Sequence, residues 1–302
     1  MKIGITGANS FIGREAIRQF LAKGWECVGY VRSLSGGLGI SSERLKMKER
    51  SPKDYARLTD EDKNIDCLVA LAWNGTRGDN RMVVEAQKQS FQMTMNAIQN
   101  ALDNGCRLIV TAGSQAEYGK YERKITEEDV LRPNTEYGKY KAEVYYRAAE
   151  LVKEYGARLI EPRYFSIYGC NDAPVTMVQS ILDDMIAGRA CKLTACVQMW
   201  DFLYLEDAVR ALVALIENQE AGGAYNFGSG DCRPLKEFVY EMKKVVNSKS
   251  DLCFGAIPYP ETGMVSIQPD ISRLMATAKW NAKVSFAEGI ERIYREKTDG
   301  RF

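Results

Sequence analysis

Short apolar runs alternate along this chain with longer stretches in which apolar residues recur every three or four positions. Lys2–Ile5 reads as a first strand, and Gly13–Lys23 as a helix closed by Gly24. Cys27–Val31 and the wholly apolar Cys67–Ala72 read as buried strands. The periodicity predicts a helix over Arg81–Asn104 that stops at Gly105, then a strand over Arg107–Ala112. A helix over Thr135–Tyr155 ends at Gly156, and Arg158–Pro162 opens a further strand. Repeated βαβ alternation with short buried strands predicts the α/β class: a Rossmann-type, doubly wound parallel sheet.

After Gly169 the pattern loosens. Helices are expected over Pro174–Gly188, Glu206–Asn218 and Pro234–Asn247, a strand over Trp200–Leu205, and irregular chain over Ile257–Pro269. This divides the protein into a dinucleotide-binding domain, 1–169 with 199–227 returning to it, and a smaller C-terminal substrate-binding lobe, 170–198 and 228–302. No internal repeat or low-complexity segment interrupts the chain.

The glycine turn between the first strand and the first helix carries the most chemistry. In Thr6-Gly7-Ala8-Asn9-Ser10-Phe11-Ile12-Gly13 an apolar strand runs through a tight turn into a helix start. The free N–H groups there face an anion such as a dinucleotide pyrophosphate. Gly7, Asn9, Ser10, Phe11, Ile12 and Gly13 are the cofactor-binding candidates. The middle glycine of the usual spacing is Ser10, whose hydroxyl is expected to take a phosphate contact.

Composition removes many alternatives. There is no histidine in the 302 residues, which excludes Ser–His–Asp and Cys–His catalysis, and acid–base work falls to Tyr, Lys, Glu, Asp or Cys. Lys plus Arg number 41 against 40 Asp plus Glu, so no net field calls for nucleic acid or a membrane surface. No apolar run approaches the roughly 18 residues of a membrane span, and no leader is apparent at the N-terminus. The eight cysteines are scattered singly, without a C-x-x-C pair. A reduced, cytoplasmic setting without a metal site is expected.

Tyr137 and Lys141 lie four apart on one face of a predicted helix. An ammonium beside a phenol lowers the phenol pKa from about 10, so Tyr137 is the expected proton donor or acceptor. Tyr140 has only Val144 at the same offset. Ser114 follows the strand Arg107–Ala112, at the end of a parallel sheet where reactive groups gather. Its hydroxyl can bind a substrate carbonyl or alkoxide.

Together these stretches resemble the extended short-chain dehydrogenase/reductase family, in its NAD-dependent epimerase/dehydratase group acting on nucleotide sugars. TGANSFIG at 6–13 is similar to that group's T-G-x-x-G-x-x-G, and Gly113–Gly119 to its S-S-x-x-x-Y-G. Tyr137–Lys141 matches Y-x-x-x-K, and Arg163–Gly169 resembles R-x-x-N-x-Y-G. Trp200–Asp207 resembles R-D-F-x-x-V-x-D, and Tyr225–Gly230 resembles Y-N-x-G-S-G. The resemblance covers almost the whole chain. It implies a catalytic set of Ser114, Tyr137 and Lys141, with Leu71, Ala72, Tyr164 and Ser166 also at the cofactor. Trp73 is expected as a pocket wall, with Gln115, Ser166 and Trp200 at the substrate.

Departures from the family pattern narrow the reaction. NAD-preferring relatives usually end the second strand with an acidic residue, whereas this chain has Val31 followed by Arg32. A guanidinium suits a 2′-phosphate, so NADP(H) is expected, with NAD as the alternative. Gln115 and Ala116 occupy the places of the dehydratases' Asp–Glu pair, so dehydration is not expected, and Glu117 stands one place too far along. Trp200 replaces an arginine that contacts the diphosphate in relatives, Ser166 replaces an asparagine, and Ser90 stands where an asparagine usually opens the helix. Arg273 is a further candidate for a phosphate. The resulting expectation is an NADPH-dependent reductase of a nucleotide-linked 4-keto-6-deoxy sugar. The alternatives are a nucleotide-sugar 4-epimerase with tightly bound NAD and, less favoured, a non-catalytic cofactor sensor. A homodimer through the helices 81–104 and 135–155 is implied by the family.

Overall fold

The most apolar runs become the interior strands of one parallel sheet. In the computed structural model, which describes residues 1–299 apart from 36, 61, 63 and 260–263, β1 (Lys2–Thr6) leads into α1 (Phe11–Ala22). There follow β2 (Glu26–Val31), β3 (Leu45–Glu49), β4 (Cys67–Ala70), α2 (Val84–Asp103), β5 (Leu108–Thr111), the two-residue β6 (Gly113–Ser114), α3 (Glu136–Glu154) and β7 (Arg158–Tyr164). Beyond them come β8 (Ile167–Tyr168), α4 (Met177–Ile186), β9 (Cys191–Leu193), β10 (Met199–Asp201), β11 (Leu203–Tyr204), α5 (Leu205–Glu217) and β12 (Gly223–Phe227). The chain continues with β13 (Cys232–Pro234), α6 (Leu235–Val245), β14 (Leu252–Phe254), α7 (Ser272–Ala278) and α8 (Phe286–Thr298).

The sheet order is β3-β2-β1-β4-β5-β7-β12, with every neighbour parallel and β6 beside the end of β7. From β1 the chain winds outward to β3, then returns to the other side of β1 at β4. That reversal opens a crevice at the carboxyl ends of β1 and β4. Ile3, Ile5, Val69 and Val110 face α1 and α5 on one side of the sheet. Val28, Leu68, Ile109 and Leu159 face α2 and α3 on the other.

Several boundaries differ from the sequence expectation for identifiable reasons. The strand expected over Cys67–Ala72 ends at Ala70, because the Ala72 N–H turns to Thr6 Oγ1 at 3.1 Å instead of joining the ladder. Leu71 and Ala72 therefore leave the sheet at the crevice. The helix expected from Arg81 starts at Val84, and Gly78–Met82 forms a 3₁₀ turn before it. Strand β3 was not expected: Leu-Lys-Met-Lys-Glu reads as polar, as an edge strand does. The strand expected over Trp200–Leu205 divides in two, β10 pairing antiparallel with β13 and β11 pairing parallel with β8.

The smaller lobe has its own core, in which Phe202, Phe238 and Phe286 pack with ring centroids 4.7–5.1 Å apart. Helix α8 closes on Tyr168 through Gly289, where a Cβ would come within 2.2 Å of the Tyr168 hydroxyl oxygen. Helix α7 departs from the boundary drawn at 228–302. Ile271, Leu274 and Trp280 are buried with the core of the large sheet, so this segment returns to the larger domain. Of the irregular stretch expected over 257–269, residues 260–263 lie outside the described residues. No helix among the described residues is long and apolar enough to cross a membrane.

Candidate active site

The glycine turn forms the floor of the crevice. Gly7 takes a φ of +66°, a conformation costly for any residue with a Cβ. Its N–H and that of Ala8 donate to the Tyr30 carbonyl at 3.1 and 3.4 Å. At Gly13 a Cβ would sit 2.4 Å from the Gly7 carbonyl oxygen, so only glycine lets α1 start this close to the turn. Ser10 is the helix cap, its Oγ accepting from the Gly13 N–H at 3.1 Å. One lone pair of the hydroxyl is thus engaged by the cap, while its proton, the group that would donate to a phosphate oxygen, is not used by it. The N–H groups of Phe11 and Ile12 lie in the first turn and have no intrahelical acceptor.

A cleft rises from this floor. Gly7, Asn9, Ser10, Arg32, Tyr55, Leu71, Ala72 and Trp73 line it. Arg32 is exposed at its rim. Tyr164 lies buried at the end of β7, and its hydroxyl has no hydrogen-bond partner. A left-handed glycine and unpaired first-turn N–H groups fit a dinucleotide whose phosphates lie on the start of α1, whereas Tyr164, expected at the cofactor, packs on Phe227 in the core and does not line the cleft. Arg32 is the group that would meet a 2′-phosphate.

Tyr137 and Lys141 gather on Trp73, a wall of the cleft, with Ser114 beside Tyr137. Thr135 caps α3, its hydroxyl accepting from the Gly138 N–H at 3.0 Å. A Cβ at Gly138 would stand 2.3 Å from the Ala116 carbonyl oxygen, so this glycine lets α3 press onto the turn after Ser114. That contact brings Tyr137 beside Ser114, whose hydroxyl favours the phenolate form. The Ser114 Oγ also accepts from the Ala116 N–H at 3.2 Å.

The expected pairing of Lys141 with Tyr137 is corrected by the geometry. Lys141 is buried, donates to the Ala112 carbonyl at 2.9 Å and stands 3.8 Å above the Trp73 ring. It lies 5.7 Å from the Tyr137 ring centroid. Burial dominates at Tyr137 and pushes the phenol above its ordinary value, opposed by the Ser114 hydroxyl and the Arg81 charge. Burial pushes Lys141 down to about 8, against the pull of Glu117 and Glu161.

Gln115 and Trp200 line an apolar cleft of about 580 Å³ whose other walls come mostly from 175–198 and 235–267. Trp200 also borders an adjoining cleft of about 480 Å³ with Ser166. The Trp200 Nε1 donates to Ser166 Oγ at 3.1 Å, so these two replaced positions of the family pattern engage each other. Ser90, the third, accepts from the Asn74 N–H at 3.1 Å and donates to the Ala86 carbonyl at 2.9 Å. Arg273 is not brought to the site. It donates to the Gly222 carbonyl at 3.0 Å, beside the starting end of β12 and away from the carboxyl ends. The phosphate contact expected of it is therefore withdrawn.

Sequence reasoning missed the charges beneath Ser114. Glu117 is fully buried and accepts from the Ser114 N–H at 2.6 Å. Arg163 donates from Nε to both Glu117 and Glu161 at 3.0 Å, and from its terminal nitrogen to the Tyr118 hydroxyl at 2.9 Å. Thr111 donates to Glu161 at 3.1 Å. Burial raises both carboxyl pKa values, and most strongly that of Glu161, which also faces Glu117. Arg81 was missed as well. Its guanidinium lies 4.9 Å from the Tyr137 ring centroid, whereas the periodicity marks this position only as the start of a helix.

The model of the NAD dependent epimerase/dehydratase family matches residues 3–228. The chain belongs to this family. Among its curated relatives, dTDP-4-dehydro-6-deoxyglucose reductase of Escherichia coli is 25% identical over 218 residues, a match that covers 65% of this chain and 63% of that enzyme. CDP-abequose synthase of Salmonella muenchen is 22% identical over 310 residues, covering 98% of each. Among solved structures, UDP-glucuronic acid 4-epimerase from Bacillus cereus in complex with NAD superposes with a TM-score of 0.85 at 19% identity, over all of both chains. Within the epimerase/dehydratase family this chain is an extended short-chain dehydrogenase/reductase, with the fold that its motifs implied.

Proposed function

We propose that this protein is an NADPH-dependent reductase of a nucleotide-linked 4-keto-6-deoxy sugar. The observation that carries the reading is the phenol of Tyr137, held beside Ser114 by the Gly138 contact and edge-on to Trp73, with burial raising its pKa. No free carboxylate lies beside it. Among the described residues lining the three clefts, Asp172 is the one carboxylate, and it is ion-paired with Arg77 at 2.8 Å. A protonated phenol is the form needed to give a proton to a developing alkoxide. It is the wrong form to take one from a sugar hydroxyl, the first step an epimerase requires.

When bound, the reduced nicotinamide supplies the hydride that reduces the ketone carbon. Ser114 Oγ–H donates to the ketone oxygen and steadies the charge that grows there. Tyr137 passes its proton to that oxygen, which completes the alcohol. Lys141, held by the Ala112 carbonyl and the face of Trp73, keeps a positive charge near both. Arg32 pairs with the 2′-phosphate and selects NADPH. The two curated relatives named above support a nucleotide-sugar substrate, and CDP-abequose synthase does so over 98% of its length.

The assay is NADPH consumption with a panel of nucleotide-linked ketosugars. Stoichiometric oxidation is expected, and Arg32→Ala is expected to weaken NADPH binding about 10- to 150-fold, the value of a charge-assisted contact, with NADH unchanged. Purified protein carrying tightly bound NAD and interconverting sugar epimers would overturn the reductase in favour of the 4-epimerase. Helices α2 and α3 pack side by side with Val84 and Tyr146 exposed on them. A homodimer across these faces belongs to the same proposal, and a monomer in sedimentation equilibrium would refute it.

A further inference from the structure

Arg81 is the cation that the reaction just described leaves unexplained. It lines both clefts of the smaller lobe and also reaches the Tyr137 ring. Its Nε is buried and has no hydrogen-bond partner. No carboxylate forms an ion pair with it among the described residues, whereas its neighbour Arg77 is neutralised by Asp172. Lys192 lines one of the two clefts only.

The segment that carries Arg81 is held in place. Gln87, fully buried on α2, donates to the Gly75 and Asn80 carbonyls at 2.9 Å each and accepts from Trp73 Nε1 at 2.7 Å. One side chain thereby ties the pocket wall to the loop leading to Arg81. A partly buried guanidinium with an orphaned donor is unfavourable unless an acceptor completes it. A planar fork of donors, fixed before binding, suits a phosphate or carboxylate.

We propose that Arg81 is a substrate-binding residue that holds the phosphate linked to the sugar at the junction of the two clefts, so that the sugar ring extends toward Tyr137. This rests on the nucleotide-linked reading of the substrate. The geometry is that of an anchor beside the reacting carbon: one donor group faces the clefts while its plane borders the phenol that delivers the proton. Trp200, bonded to Ser166, contributes an apolar wall to both clefts and no charge.

Calorimetric titration of the full-length protein with UDP, dTDP, CDP and inorganic pyrophosphate tests this, with NADPH affinity as the control for an intact cofactor cleft. Arg81→Met is expected to weaken diphosphate binding about 10- to 100-fold and to flatten its salt dependence. Arg81→Lys should fall between the two, and NADPH affinity should not move. Unchanged nucleoside diphosphate affinity in Arg81→Met would overturn the role of Arg81 and leave the substrate reading standing. Binding of pyrophosphate but of no nucleoside diphosphate, lost in Arg81→Met, would keep the anion site and overturn the nucleotide-linked substrate. Binding of none of the probes to the wild type would overturn both. Should Arg81→Met unfold, Arg81→Lys against wild type across salt concentrations decides the same question.

Discussion

Arg163→Met removes the cation from the buried cluster under Ser114, and its cost can be worked from the contacts. Two carboxylates, Glu117 and Glu161, share this guanidinium at 3.0 Å, and all three side chains are at most 2% exposed. Breaking a buried pair by removing one partner costs about 3–5 kcal/mol. At about 2–4 °C per kcal/mol for large domains, the unfolding midpoint should drop by about 6–20 °C. The loss must also depend on pH. Both carboxyl pKa values are raised in the folded protein, so the folded state binds more protons than the unfolded chain above the ordinary carboxylate range. Stability therefore falls as pH rises from that range through the folded values. Without the guanidinium both values climb further, and each added unit below the working pH increases the penalty by about 1.36 kcal/mol. As pH falls toward the ordinary carboxylate range and the carboxyls take up protons, the penalty shrinks. Urea denaturation followed by circular dichroism at pH 5 and pH 8 measures both effects. Glu161→Gln, which leaves one carboxylate for one guanidinium, should cost less and flatten the pH dependence. A penalty for Arg163→Met below about 1 kcal/mol, or one equal at the two pH values, refutes the reasoning.

Two further outcomes follow from the proposed catalytic cluster. Tyr137→Phe should lower kcat for ketosugar reduction by about 10²- to 10⁴-fold; a loss under tenfold in the NADPH-consumption assay would remove Tyr137 as the acid. Lys141, pushed down to about 8, should give a fall in kcat/KM as pH rises through that value, absent in the residual activity of Lys141→Met. The unfolded chain keeps this lysine charged to about 10.4, so folding releases its proton between the two values, and the Lys141 contribution makes stability rise with pH there. A wild-type stability curve with the same slope as that of Lys141→Met in this window would contradict the shift.

The glycine turn, the sheet and the trio Ser114, Tyr137 and Lys141 were legible because each has a one-dimensional signature: apolar runs, glycines at fixed spacing, a four-residue offset. Gly138 carried a signal too. It sits between Tyr137 and Lys141, where only a missing Cβ lets α3 touch the turn after Ser114. The partners of Lys141 were not legible. Its ammonium turns to a carbonyl 29 positions earlier and to Trp73, and neither is a neighbour in sequence. Glu117 illustrates the limit most sharply. In Gly113–Gly119 it reads as a misplaced acid, yet it is the buried acceptor that fixes the Ser114 backbone. Its burial depends on Arg163, one strand away. Arg81 was hidden by helical periodicity that continued through a 3₁₀ turn.

The four tryptophans give the protein an unequal set of internal fluorophores. Trp25 packs on Phe20 and Trp280 lies beneath Arg210, both buried away from the clefts. Trp73 lies in the dinucleotide cleft with an ammonium on its face, and Trp200 in the wall of both lobe clefts. Reduced nicotinamide absorbs where tryptophan emits, so energy transfer from Trp73 reports cofactor arrival. A change in Trp200 emission reports filling of the lobe. With Trp73→Phe and Trp200→Phe as the two silent references, the order in which cofactor and sugar enter can be followed in a stopped-flow trace without any label.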